Sequence, residues 1–326
     1  MTIVDAHSHL FPPAWRQGTR MPPAIFDLDL IFQRQDEAGL SMTVLSDSHI
    51  WFGERDLGDI ASAREYNDFA ADVVRTHPGR LAALASTMPW RGPAHLAEAE
   101  RAIRELGLAG LAIPTSDRGQ YADDIPDEFW SMAEDLHVPV FMHPGRDVLS
   151  PDLMDIYRLG ELCGRPMDMT VTLARLILTG GMQRHRDLAL LCAHAGGAIC
   201  MIADRLDFGH ELRGYSALGP WGAVELDQPP SEYVSSLHLD TVTFGVRPLR
   251  LALETVGAHR LHFGTDGPPL PFPARRSRHL VDSLGLAPDH HADVMGNNAV
   301  RLFGLRHDDH LADELPTGGG RAEGAP

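Results

Sequence analysis

Positive charge is scarce in this chain: 28 Lys and Arg stand against 45 Asp and Glu, a formal net charge of −17. A phosphate backbone or an anionic lipid surface would be repelled, and no local run of basic residues offsets this, so neither nucleic acid nor a membrane is an expected partner. Cysteine is sparse as well. Cys163, Cys192 and Cys200 are odd in number and lack CxxC spacing, which fits reduced thiols and excludes a disulfide framework or a structural zinc ribbon. Long apolar runs are missing: the most apolar stretch, 188–203, carries His194 and two glycines in its middle and is shorter than a bilayer requires. The first residues, MTIVDAHSHL, have neither the basic nor the apolar part of an export signal, so the expected compartment is the cytoplasm. Also absent are the GxSxG elbow, the GxxxxGK[ST] phosphate loop, GxGxxG and HExxH, which removes the usual marks of serine hydrolases, P-loop enzymes, dinucleotide binders and zinc proteases.

What the chain does contain is an ordinary globular composition, 44% apolar and 22% charged over 326 residues, enough for a sizeable core. Short apolar runs bounded by turn residues predict strands at 2–6, 42–46, 81–86, 108–113, 138–142, 188–193, 236–241 and 260–265. Segments with helical spacing lie between most of them, at 28–39, 59–77, 94–106, 127–137, 167–180, 197–208 and 246–257. Strands apolar on both faces that alternate with helices are the pattern of a parallel sheet covered by helices. Eight such units predict an α/β fold closed into a (β/α)₈ TIM barrel, with a doubly wound open sheet as the structural alternative. The surplus length falls in loops 10–27 and 144–166 and in a C-terminal helix near 289–303. No linker divides the chain, so residues 1–307 are expected to form one barrel domain, and the polar, Gly- and Pro-rich stretch 308–326 a disordered tail.

The chain has 18 histidines, and their position relative to the predicted strands selects among them. His7 and His9 close the first strand two residues apart and therefore share a side. His143 follows the fifth strand, His194 ends the sixth and Asp266 ends the eighth. Singly, each has an ordinary explanation: a hydrogen-bonded core histidine, or an aspartate that caps the next helix. Together they supply the nitrogen and oxygen donors that a borderline divalent ion prefers, at strand ends that all face one mouth in a barrel. The remaining histidines on predicted helices and turns, among them His77, His95, His137, His185, His259 and His279, are expected at the solvated surface, and His262 inside the barrel. The Gly196-Gly197 pair opens a helix, either to offer free amides to an anion or to let the helix pack closely on the barrel.

The motifs DAHSH, FMHPG, CAHAGG, HLDT, FGTDGP and GNNAVRLFGL, in that order, resemble the amidohydrolase superfamily, and specifically the amidohydrolase-2 branch typified by aminocarboxymuconate semialdehyde decarboxylase. The resemblance spans roughly residues 2–305. It implies that His7, His9, His143 and Asp266 bind one divalent metal, zinc or alternatively manganese, and that His194 is the acid/base, with Asp266 or His194 delivering a proton to carbon. It implies a metal-dependent decarboxylase, a carbon–carbon lyase acting on a small unsaturated or aromatic carboxylate, and a homodimer. A metal-dependent hydrolase of an amide or lactone would need the same five residues. A catalytically silent barrel would be marked by a lost ligand, and none is lost. Arg146, three residues beyond His143, is the expected contact for a substrate carboxylate, ahead of Arg16, Arg20 and Arg205, while His49 and Trp51 are expected to line the pocket. Gly267-Pro268-Pro269 departs from the bulkier residue that relatives often carry after the aspartate of strand eight, which alters the pocket wall.

Overall fold

The computed structural model describes residues 1–17, 19, 21–47, 56–145, 149–215, 222 and 224–305. Arg20, His49, Trp51, Arg146 and the tail 308–326 lie outside the described residues. Eight parallel strands carry the fold: β1 (Val4–His9), β2 (Met42–Ser46), β3 (Leu81–Ala83, continuing as Ala85–Ser86), β4 (Leu111–Pro114), β5 (Val140–His143), β6 (Leu190–Cys192), β7 (His238–Asp240) and β8 (Leu261–His262). Each pairs with its sequence neighbour. Closure between the first and last strands uses backbone bonds just beyond the regular ladder: Ala6 N–H donates to Phe263 O at 2.8 Å and His9 N–H to Gly267 O at 2.7 Å. The (β/α)₈ barrel expected from the sequence is therefore the fold observed.

A helix follows each strand: α1 (Leu28–Ala38), α2 (Ile60–Thr76), α3 (Pro93–Arg104), α4 (Asp127–Asp135), α5 (Arg165–Leu178), α6 (Ile199–Glu211), α7 (Val246–Val256) and α8 (Ala274–Asp282). The local causes are those that periodicity predicts. In α1 the Asp27 side chain accepts from Leu30 N–H, Ile31, Gln35 and Ala38 face the core, and Gly39 ends the helix at φ 63°, a conformation that favours glycine. Among the elements with no counterpart in the sequence pattern are two helices. Helix α8 reads ARRSRHLVD and buries only Ala274 and Val281, too few apolar positions to show a period, and the Pro230–Ser236 helix is too short to show one. The C-terminal helix runs through Pro288–Ala292, Asp293–Asn297 and Asn298–Leu302, its middle turn widened to π geometry.

Register sets the barrel interior. Phe141 pairs with Leu191, Leu191 with His238, and Asp240 with His262. Phe141 points inward, its ring centroid 5.1 Å from that of His7. His262 is thus interior, as expected, and lies 2.9 Å from His238. Two histidines expected at the surface are buried instead. His95 contacts Gly58 O at 3.1 Å, and His185 Nδ1 meets Glu134 at 2.8 Å. Each sits on the core-facing side of its segment; His185 Nε2 also meets Asp127 at 3.4 Å, while His95 keeps one ring nitrogen without a partner among the described residues.

Candidate active site

The carboxyl ends of β1, β5 and β8 bring four side chains together. One donor atom from each of His7, His9, His143 and Asp266 lies within 4.8 Å of the others. His7 Nδ1 stands 2.6 Å from Asp240 Oδ2 and His9 Nδ1 3.3 Å from Ser46 O. Both Nδ1 atoms therefore donate outward, a tautomer assignment made from these partners. The two Nε2 atoms are left facing each other at 3.1 Å, with Asp266 Oδ1 3.3 Å from one and 3.0 Å from the other. Two lone pairs and a carboxylate oxygen at such distances require positive charge between them. A proton on His7 Nε2 would satisfy these three atoms. It would leave His143, buried with no hydrogen-bond partner on either ring nitrogen, unaccounted for. Three imidazoles and one carboxylate around one point fit a single divalent cation.

The electrostatics agree with that geometry. Burial disfavours a charged His7, but Asp266 and Asp240 outweigh it and raise the imidazole to about 10. For His143, burial and then the charges of His9 and His7 hold the ring well below its ordinary range. Burial likewise lowers His9. Burial would raise Asp266, yet the His7 charge and hydrogen bonds from His7 and His9 keep it well below the usual carboxylate range. Neutral His9 and His143 beside an ionised Asp266 are ready to bind a metal, while His7, held protonated by the two carboxylates, would give up its Nε2 proton to an arriving ion.

His194 completes the group, its ring centroid 5.4 Å from that of His7 and 5.3 Å from that of His143. Burial lowers its proton affinity, Asp266 opposes that, and the charges of His7 and Arg165 add to the lowering. Its backbone is left-handed, φ 52°, as is Ala195 at 51°, a conformation unfavourable for residues with a Cβ. Asp240 holds it there: Oδ2 accepts from His194 N–H at 3.0 Å and Oδ1 from Ala195 N–H at 2.9 Å. The glycines that follow serve close packing. A Cβ on Gly197 would lie 2.1 Å from Pro166 O, and the Ala198 amide is taken by Thr170 Oγ1 at 2.8 Å.

Sequence reasoning selected the five central residues and missed their supports. Asp240 orients His7 and the His194 turn together; its signal was an acid ending β7, as Asp266 follows β8. Asp5, two residues before His7, accepts from His7 N–H and from Thr265 N–H and Oγ1–H, and burial pushes it up to about 6. Arg16 and Arg205, the weaker candidates for a substrate contact, are exposed.

The amidohydrolase family model matches residues 4–305. The 2-amino-3-carboxymuconate-6-semialdehyde decarboxylase of Dictyostelium discoideum is 27% identical over 88% of this chain and 79% of its own length. A gamma-resorcylate decarboxylase from a Rhizobium species is 26% identical over 76% of this chain and 77% of its own. A dihydroxybenzoic acid decarboxylase from a Polaromonas species, solved with manganese and the inhibitor 2-nitroresorcinol, superposes with a TM-score of 0.74 at 21% identity, covering 93% of this chain and 97% of that one.

Proposed function

The chain belongs to the amidohydrolase family, in its amidohydrolase-2 branch, and from that premise we propose that it is a metal-dependent decarboxylase of a small aromatic or unsaturated carboxylic acid. The observation that carries this reading is the convergence of His7, His9, His143 and Asp266 at one mouth beside His194, in a chain whose relatives are named as decarboxylases.

We assign the four converging residues as metal ligands. The bound ion would chelate the substrate and stabilise the negative charge that develops as carbon dioxide departs. Zinc is the ion we propose, because three imidazoles and one carboxylate suit a borderline cation; manganese, present in the Polaromonas enzyme, is the alternative. His194, neutral and half-buried beside the ligands, and Asp266, whose side chain keeps 14% of its surface open, are assigned to proton delivery at the carbon that loses carbon dioxide. Asp240 fixes the tautomer of His7 and the position of His194. The same reading carries a cytoplasmic homodimer, which sedimentation would show as twice the 35.7 kDa chain mass.

The test is turnover of a panel of aromatic and unsaturated acids in deuterated water. Release of carbon dioxide, with deuterium on the carbon that lost it, is the expected result. A product that keeps every substrate carbon and gains the elements of water would replace this reading with that of a hydrolase.

A further inference from the structure

Arginines that lose part of their hydration are expected to find a partner, because a guanidinium withdrawn from water without one is destabilising. Among the described residues, the half-buried arginines follow that rule with one exception. Arg80, Arg91 and Arg101 pair with Asp36, Asp117 and Glu98. Arg34, Arg213, Arg260 and Arg278 donate to backbone carbonyls. The guanidinium of Arg165, also half-buried, has neither an ion pair nor a hydrogen bond among the described residues.

Its position does not serve the helix either. Arg165 stands where the π turn Gly160–Gly164 passes into the 14-residue helix α5, inside a continuous helix whose ends its charge does not cap. What the position does provide is nearness to the site. The first two turns of α5 touch the turn that follows His194, since Pro166 O closes on Gly197 and Thr170 Oγ1 accepts from Ala198 N–H at 2.8 Å. The Arg165 charge is felt at the His194 imidazole, where it adds to the dominant effect of burial.

We propose that Arg165 binds an anionic group of the substrate, one that the substrate keeps through the reaction. The inference rests on the substrate being a carboxylic acid, as proposed above. A carboxylate that departs as neutral carbon dioxide loses its charge on the way to the transition state. A guanidinium clamped on it would stabilise the ground state more than the transition state and slow the reaction. A cation in this place is productive when it holds a second anionic group, which fixes the acid in orientation by a bidentate contact. The substrate class is therefore an acid with two anionic groups, of which one is retained.

Calorimetric titration of the zinc-loaded protein with isophthalate and with benzoate tests this directly, because the two probes differ by one carboxylate. Wild type should bind isophthalate roughly tenfold or more tightly than benzoate, the worth of one charge-assisted contact. Arg165→Met should abolish that preference with zinc content unchanged, and Arg165→Lys should restore part of it as a point charge. Equal affinities in wild type, or a preference that survives Arg165→Met, would overturn the assignment. Failure of the decarboxylase reading shows separately, as absence of carbon dioxide release from every acid of the panel.

Discussion

The carboxylate of Asp240 accepts from His7 Nδ1–H and from the backbone N–H groups of His194, Ala195 and Val242. One side chain thus sets which nitrogen of His7 is left as a donor atom and where His194 stands. Asp240→Asn would still accept from Ala195 and Val242 N–H through its oxygen but would turn an amide N–H toward His7 and His194 N–H, forcing the His7 proton onto Nε2. Metal affinity should fall roughly 10- to 100-fold, the usual effect of losing a support behind a ligand, as measured by competition with a chelator; unchanged affinity would show that Asp240 is not what fixes the tautomer. His143 and His194 lie in similar surroundings yet should separate under substitution. His143→Ala should lose the ion. His194→Ala should keep most of it while turnover drops by roughly 10²-fold or more, and equal metal loss in both variants would sink the division of roles.

Where α5 and α6 meet, the chain must turn sharply from β6 into α6, and residues 194–197 all take positive φ. Gly197 tolerates this at φ 69° and also leaves room for Pro166 O, which a Cβ would meet at 2.1 Å. Gly197→Ala should destabilise the fold by about 2–4 kcal/mol, combining left-handed strain with overpacking. Gly79 has φ 74°, and a Cβ added there would meet nothing within 4 Å, so the same change should cost only about 1–2 kcal/mol. Urea midpoints of the two variants check the difference. Between α2 and α3, Glu98 is buried and accepts from Asn67, Arg101 and Arg64. Burial would raise its carboxyl, but these hydrogen bonds prevail and hold it below its ordinary value of 4.5. A group lowered in the folded state stabilises fully above its unfolded value and loses that contribution as pH falls through the folded one. Wild type should therefore lose stability more steeply than Glu98→Gln below pH 4.5, and parallel acid limbs in urea titrations would show that Glu98 contributes nothing to the pH dependence.

The whole barrel is closed by β1, which carries His7 and His9, and β8, which Asp266 follows. An ion bound there would tie the first strand to the last, 257 residues apart between His9 and Asp266, and should stabilise the fold as any ligand that binds only the native state does. Metal-free protein should melt at a lower temperature, and free zinc at about a hundred times its dissociation constant should restore about 2.7 kcal/mol. A chelator-treated protein with an unshifted melting curve, and no response to added zinc or manganese, would remove the metal from the functional reading.

By itself the sequence determined the fold class and the central five residues, because both are written in short-range patterns. Apolar runs alternating with amphipathic segments have one compact closed arrangement of this length, and His7, His9, His143, His194 and Asp266 stand beside the strands that such an arrangement turns toward one mouth. Helix α8 escaped because its two buried side chains form no period. His95 and His185 escaped because burial depends on what packs over a segment rather than on the segment. Asp240 and Arg165 required the tertiary structure for a stronger reason. What matters about Asp240 is a contact with His7, 233 residues away in the chain, and what matters about Arg165 is the side-chain partner that every other half-buried arginine among the described residues has and it lacks. Neither pairing nor its absence is a local property of the chain; both follow from the closure of the barrel, which brings distant strand ends within hydrogen-bond reach of one another.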